Sequence, residues 1–298
     1  MTIAASKYLT LETTSLFVRS ADFARIEDDF YGALKTANGS FKTTQHQRLD
    51  AVNDAFFTAL ERCGLKPAVI MDVGVSSGVT TLEWMDEFAR RGIAVKTIVT
   101  DRTLHAYLVR LAPHLTLLID PSGHILQVEL MGMAIRPWCS RRDYLSGMFL
   151  LRNAVVAWAR RALGHLALHF PLDAARAAAK ADRVTGPFLL LTPPLRGRPD
   201  VTCVEDDILA PNPPALTGIA DAIRLANIVQ RVYFSDDEIA RIICNVRARC
   251  RDGALVVVCR NHPDSVEGSI LRAIPGGGFA LEARIGPGSE VERAFCAL

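Results

Sequence analysis

Several things are scarce in this chain, and each shortage excludes something. The seven cysteines (Cys63, Cys139, Cys203, Cys244, Cys250, Cys259 and Cys296) contain no Cys-x-x-Cys pair, and their number is odd. That pattern argues against a disulfide framework or a zinc knuckle and suits buried, reduced thiols in a cytoplasmic protein. Residues 1–20 lack a basic start followed by an apolar block, so no secretory signal is expected. No uncharged apolar run approaches the roughly 20 residues of a membrane span. The formal charge is only +2, which gives no reason to expect nucleic acid as a partner. His165 and His169 stand four apart with no third ligand type nearby, so no metal is expected. Internal repeats and low-complexity tracts are absent.

What is present is a chain of 298 residues, half of them hydrophobic, enough for one large α/β domain with an accessory segment. The apolar run Ala68–Met71 suits a buried parallel strand. It leads through Asp72-Val73-Gly74-Val75-Ser76-Ser77-Gly78 into a stretch with apolar residues near helical period: Val79, Leu82, Trp84, Met85 and Phe88. Glycines at a strand-to-helix turn let a backbone approach a ligand and aim amide groups at it. A second apolar run, 95–100, ends in Asp101, and an acid there suits the two hydroxyls of a ribose. A nicotinamide-binding fold would use the same device.

Before the first strand, residues 17–34 and 44–63 carry helical apolar patterns separated by Asn38-Gly39-Ser40. We read 1–66 as a helical N-terminal segment, with Tyr31, Gln45, His46 and Arg48 as its polar candidates for substrate contact. After Asp101 a short helix over 104–111 is expected. The next strand that ends in acids is 200–207, about 100 residues on, where one crossover needs about 30. An α+β insertion at about 114–190 fills the gap. It should hold a hairpin, 115–120 with 125–130, then a helix over 141–163, a shorter one over 172–183 and a strand at 188–191. The stretch 141–163 has five arginines against one acid. Three readings stay open for it: a core helix whose arginines snorkel, a lid over an apolar acceptor, or a peripheral contact with an anionic membrane. Further on come a strand at 219–225 and a helix of about 235–250 opened by a Ser235/Glu238 capping box. A strand at 254–259 follows, and then β-hairpins to the end, the last arm at 291–297.

Asp72-Val73-Gly74-Val75-Ser76-Ser77-Gly78 resembles the Asp-x-Gly-x-Gly-x-Gly motif of class I S-adenosylmethionine-dependent methyltransferases, with Ser76 in place of the middle glycine. Residues 219–238 resemble that family's fourth strand and the loop after it. Residues 245–258 resemble its next helix, turn and fifth strand, with Asp252-Gly253 where Pro-Gly-Gly is common. The resemblance implies a Rossmann-like, mostly parallel sheet over 67–298 with an antiparallel C-terminal hairpin, the helices of 1–66 as a helical N-terminal cap on the substrate side, and S-adenosyl-L-methionine as cofactor. By motif position, Asp72 would orient the methionyl end, and Gly74, Ser76 and Gly78 would admit the cofactor. Asp101 would bind ribose, Asp207 with Asp206 before it the adenine amino group, and Asn227 would line the methionine end. His262, after the fifth strand, is the candidate proton acceptor. The acceptor would be a small molecule, a lipid-like molecule or a protein side chain. A methyltransferase-like protein that binds without turnover, and an NAD-dependent oxidoreductase, are the alternatives.

Overall fold

The structure is a computed structural model and describes residues 30–37, 39, 41–42, 46–131, 133–262 and 265–297. The apolar candidates Phe17, Val18, Phe23 and Ile26 of the first helix, and Gln45, lie outside the described residues. The chain forms two compact units. One comprises 45–102 and 197–298, the other 1–44 and 103–196. The stretch read as a 1–66 cap is thus divided between the two, and the second unit takes in 103–196, a wider span than the 114–190 expected for the insertion.

The first unit, here the core unit, is α/β. Its helix α1 (Asp50–Arg62) precedes strand β1 (Val69–Val73), helix α2 (Val79–Arg90) and strand β2 (Lys96–Asp101). The second unit, here the insert unit, then contributes five strands: β3 (His105–Ala112), β4 (Leu115–Ile119), β5 (Ile125–Leu130), β6 (Met133–Ile135) and β7 (Val184–Leu189). Between β6 and β7 lie helices α3 (Arg141–Leu145), α4 (Met148–Gly164) and α5 (Ala174–Ala178), and after β7 the short α6 (Pro193–Arg196). The chain returns to the core unit with β8 (Val201–Glu205), β9 (Ala220–Ala226), helix α7 (Asp236–Arg249), β10 (Cys250–Asn261), β11 (Val266–Ala273), β12 (Phe279–Ile285) and helix α8 (Glu292–Ala297).

The core sheet runs β12-β11-β10-β9-β1-β2-β8. Its five strands from β10 to β8 are parallel, and β11 and β12 form an antiparallel hairpin on the β10 edge. The order reverses between β1 and β9, so the sheet is doubly wound and Rossmann-like, with its ligand crevice expected outside the carboxyl ends at that point. Alternation along the strands assigns the two faces. Met71, Val73, Ile223, Leu225, Val256 and Val258 pack with Ile239, Ile242 and Val246 of α7. On the α1–α2 side, Phe56, Phe57, Trp84 and Phe88 form an edge-to-face aromatic cluster with centroids 4.7–6.0 Å apart. The Ser235/Glu238 capping box opens α7 as its sequence suggests.

The insert unit holds an antiparallel sheet of order β6-β5-β4-β3-β7. Residues 104–111, expected as a helix, are mostly strand β3. Tyr107 and Val109 enter one core with Leu117, Ile119 and Val128, while Ala106 and Leu108 enter the other with Leu118, Leu126 and Phe30. Burial on both faces erases the polar alternation that marks a strand. The expected helix over 141–163 is broken at Gly147 (φ 72°), which N-caps α4. The arm at 291–297 is helix α8, whose Phe295 stacks edge-on against Phe279. The cysteines are all free, but only Cys250 and Cys259 are buried; Cys244 and Cys296 are exposed.

Charge separates the units more sharply than the whole-chain value suggests. The core unit has eighteen Lys and Arg against twenty-two Asp and Glu, and the insert unit sixteen against ten. The total of +2 therefore covers −4 in one and +6 in the other.

Candidate ligand site of the core unit

The parallel strands of the core unit end on one edge, and almost every core-unit residue singled out from the sequence lies along it. The turn after β1 has three alternate left-handed positions, Gly74 (φ 72°), Ser76 (φ 58°) and Gly78 (φ 85°). The left-handed φ at Gly74 favours glycine, and a Cβ there would also force the Ile228 side chain to move. Ser76 keeps the glycine-like geometry at a cost of about 1 kcal/mol. Its backbone N–H donates to the Asp101 carboxylate at 3.0 Å, which ties the end of β2 to the loop. The Asp206 amide donates to the Asp101 carbonyl at 2.9 Å, and Arg102 approaches the Asp207 carboxylate at 3.3 Å. Asp101 and Asp207 are thus brought to neighbouring strand ends. Asp207 also accepts from the Leu209 amide at 3.0 Å.

Asn227 (φ 61°) joins the ends of β9 and β10. Its amide donates to Cys259, and its side-chain oxygen accepts from the Asn261 amide at 2.7 Å. His262 follows at the same edge, with Nε2 3.3 Å from the Glu267 carboxylate. His46 and Arg48 belong to this unit as well. His46 Nδ1 lies 3.3 Å from Glu83, and the Arg48 carbonyl accepts from the Asn261 side-chain amide at 2.6 Å. Tyr31 belongs to the insert unit and is buried in its core with Phe30 and Leu34.

Two further acids, Asp72 and Asp206, are held by deeply buried arginines. Asp72 is buried. Its Oδ1 accepts from Arg224 Nε at 3.1 Å, and its Oδ2 from Arg224 Nη2 and the Thr81 hydroxyl, both at 2.5 Å. Arg224 is 1% exposed, sits opposite Asp72 in the β1–β9 register, and lies over the Trp84 ring with its guanidinium carbon 4.6 Å from the centroid. The Asp206 side chain is 3% exposed, with its carboxylate 2.8 Å from Arg249 Nη2; Arg249 is fully buried and also donates to Asn212. Both acids secure buried guanidinium groups beneath the edge, as a buried charge demands.

Sequence reasoning missed Arg224 and Arg249. For Arg224 a signal existed: a cation inside the apolar run Ala222-Ile223-Arg224-Leu225 needs a buried anion, and β1 contains a single acid. Arg249 gives no such signal, because the last turn of a helix is an ordinary place for an arginine. Near Arg224, burial and then the like charge of Arg224 itself push the Arg48 guanidinium down from its ordinary value, while Asp72 and Glu83 act against that. Among the described residues, Arg224 Nη1, Arg48 Nε and the Asn261 side-chain oxygen are buried and have no hydrogen-bond partner. Cys259 packs by the same cluster, and burial pushes its thiol up to about 12, so it is no nucleophile at neutral pH.

The donor set fits a nucleoside-bearing cofactor with a polar, zwitterionic tail. A left-handed glycine turn and an acid at the end of β2 stand on one side of the switch point, and orphaned donors and an acceptor stand near it. Among the described residues no cluster of metal-ligand type occurs.

No family model matches the chain, and no curated protein matches it in sequence. Solved structures give distant likenesses. The citrinin polyketide synthase CMeT domain is 13% identical, with 82% of this chain and 41% of that one covered and a TM-score of 0.35. A putative protein-L-isoaspartate O-methyltransferase from Plasmodium falciparum, in complex with S-adenosyl-L-homocysteine, is 10% identical over 94% of each chain, TM-score 0.34. CalS10, an amino pentose methyltransferase from Micromonospora echinaspora, is 13% identical over 79% of this chain and 66% of its own, TM-score 0.30. This chain therefore spans about two fifths of the first of these structures. At such scores the likeness assigns neither an activity nor a ligand.

Proposed function

We propose that the core unit binds S-adenosyl-L-methionine and transfers its methyl group to an acceptor still to be identified. The observation that supports this most directly is the pairing of the left-handed Gly74–Ser76–Gly78 turn with Asp101, through the Ser76 amide, at the edge beside the strand-order reversal. When bound, the cofactor supplies a methyl group already activated on a sulfonium, so transfer is an in-line displacement. The residues then have to position two partners and exclude water. Asp101 holds the ribose, Asp207 meets the adenine edge, and the turn admits the cofactor closely. Asp72 works from behind: by holding Arg224 under the turn it fixes the end of β1 and makes no contact of its own with the ligand. Asp206 supports β8 in the same way through Arg249. Asn227 sets the β9–β10 ends, and the orphaned atoms of Arg48, Arg224 and Asn261 suit the charged methionyl end. His262, beside Glu267, accepts the proton that the acceptor loses.

Asp101→Ala tests the ribose assignment. It should weaken binding of S-adenosyl-L-homocysteine by about 1.5–3 kcal/mol, the scale of lost hydrogen bonds to a charged group, in a folded protein. Unchanged affinity by calorimetry would remove Asp101 from the site.

A further inference from the structure

We propose that the α3–α4 segment of the insert unit is a docking surface for an anionic lipid bilayer, on which α4 lies flat. This rests on that unit alone and does not depend on the methyltransferase reading. Helix α4 has apolar residues on two opposite sides. One side, with Val156, Ala159 and Leu163, is buried against β4 and β5. The other faces outward: Leu150 is 65% exposed, Leu151 58% and Trp158 45%, with Ala154 and Ala157 exposed between them. At 100° per residue these five fall on one side of the helix. The preceding turn adds Tyr144 (58%) and Leu145 (82%). An outward stripe this apolar is costly in water, and the question is what covers it.

Charge answers it. Arg141, Arg142, Arg160 and Arg161 are exposed at the two ends of the segment, and the segment's one acid, Asp143, is buried. Asp143 accepts from Arg136 at 2.6 Å and Arg152 at 3.0 Å, so it neutralises inner arginines and leaves the outer four uncompensated within the segment. Exposed leucines flanked by cations, with a tryptophan and a tyrosine at the margin, fit the boundary between acyl chains and anionic headgroups. The excess of +6 in this unit, against −4 in the core unit, adds a field of the same sign. The helix lies on the surface and does not cross it: no helix among the described residues is long and apolar enough to span a membrane.

The test is co-flotation of the full chain with vesicles of phosphatidylcholine alone or with about one-third phosphatidylglycerol, together with tryptophan emission. Binding is expected only to the anionic vesicles, with a blue shift that Trp158→Phe removes. Each basic residue near such a surface contributes about fivefold in partitioning. Arg160→Glu with Arg161→Glu should therefore cut partitioning by at least 25-fold on that scale. Leu150→Glu with Leu151→Glu should abolish the blue shift while circular dichroism stays unchanged. Three results would overturn the proposal: no binding to anionic vesicles, binding that survives both pairs of changes, or a dimer in sedimentation equilibrium that the leucine changes dissociate.

Discussion

The core and insert units solve the same problem, a carboxylate buried among arginines, in different ways. In the core unit the pairs are deep. Arg224 is 1% exposed against Asp72, and Arg249 is fully buried against Asp206. Asp72 and Asp206 stand at the carboxyl ends of β1 and β8, while Arg224 comes from within β9 and Arg249 from the last turn of α7. In the insert unit Asp143 lies near the surface, between two arginines that keep a quarter or so of their area in water. There the acid closes a helix turn as well, accepting from the Ser140 amide and hydroxyl in a capping box. The difference teaches that an acid at a strand end has the same signature in sequence whether it faces a ligand or an arginine. The partner that the fold brings up decides, a strand residue for Asp72 and a helix residue for Asp206.

Asp72→Ala should break the core-unit side of this comparison hardest. It leaves the Arg224 guanidinium buried without an anion, which costs about 3–5 kcal/mol. The doubly changed Asp72→Ala, Arg224→Met chain should regain much of the loss, because the stranded charge is gone. Chemical denaturation of both variants checks this, and equal instability of single and double variants would show that Asp72 acts otherwise.

The insert unit should respond less, and its response should depend on pH. Burial would raise the Asp143 carboxyl, but the Ser140 hydroxyl and amide and the guanidinium groups of Arg152 and Arg136 outweigh it and hold it at about 2. A group lowered on folding contributes stability above its unfolded value, about 3.9, and loses it as the pH falls towards its folded value. Asp143→Asn should therefore cost about 2 kcal/mol at pH 7 and nearly nothing near pH 2. A denaturation series between pH 5 and 2 that shows a constant difference would contradict the assignment.

How much of this was legible in the sequence follows the same division. The parallel strands, the glycine turn and the capped α7 were readable, because each has a local signature: an apolar run, a left-handed turn, a Ser235/Glu238 box. The hairpin of β4 and β5 was readable from its four-residue turn. Strand β3 was not, since Tyr107 and Val109 face one core and Ala106 and Leu108 the other, leaving no polar alternation. The break at Gly147 was hidden by apolar residues on both sides of it. Asp101 and Asp207 were read as strand ends from the apolar runs before them, and their roles from motif position. Asp72 and Asp206 carried the same motif credentials, and what separates them is the burial of their partners Arg224 and Arg249, 152 and 43 residues away, whereas the Arg102 beside Asp207 is half exposed. Sequence spacing does not encode such contacts; register across β1 and β9 sets the first, and the last turn of α7 brings the second.

The smallest effect expected concerns the turn itself. Ser76→Gly relieves a left-handed serine but adds freedom to the unfolded chain, so the net gain should be roughly 0.5 kcal/mol. Affinity for S-adenosyl-L-homocysteine should be unchanged, because the amide that donates to Asp101 remains. A several-fold loss of affinity would mean that the Ser76 side chain itself takes part.

The central claim is that the edge of the core unit is a site for S-adenosyl-L-methionine, and the most direct measurement is isothermal titration of the intact chain with S-adenosyl-L-homocysteine and, separately, with NAD. Saturable one-site binding of S-adenosyl-L-homocysteine, lost in Gly74→Val where a side chain would meet Ile228, with no heat from NAD, is the predicted result. Binding of NAD alone, or of neither compound by a folded chain, would contradict the account.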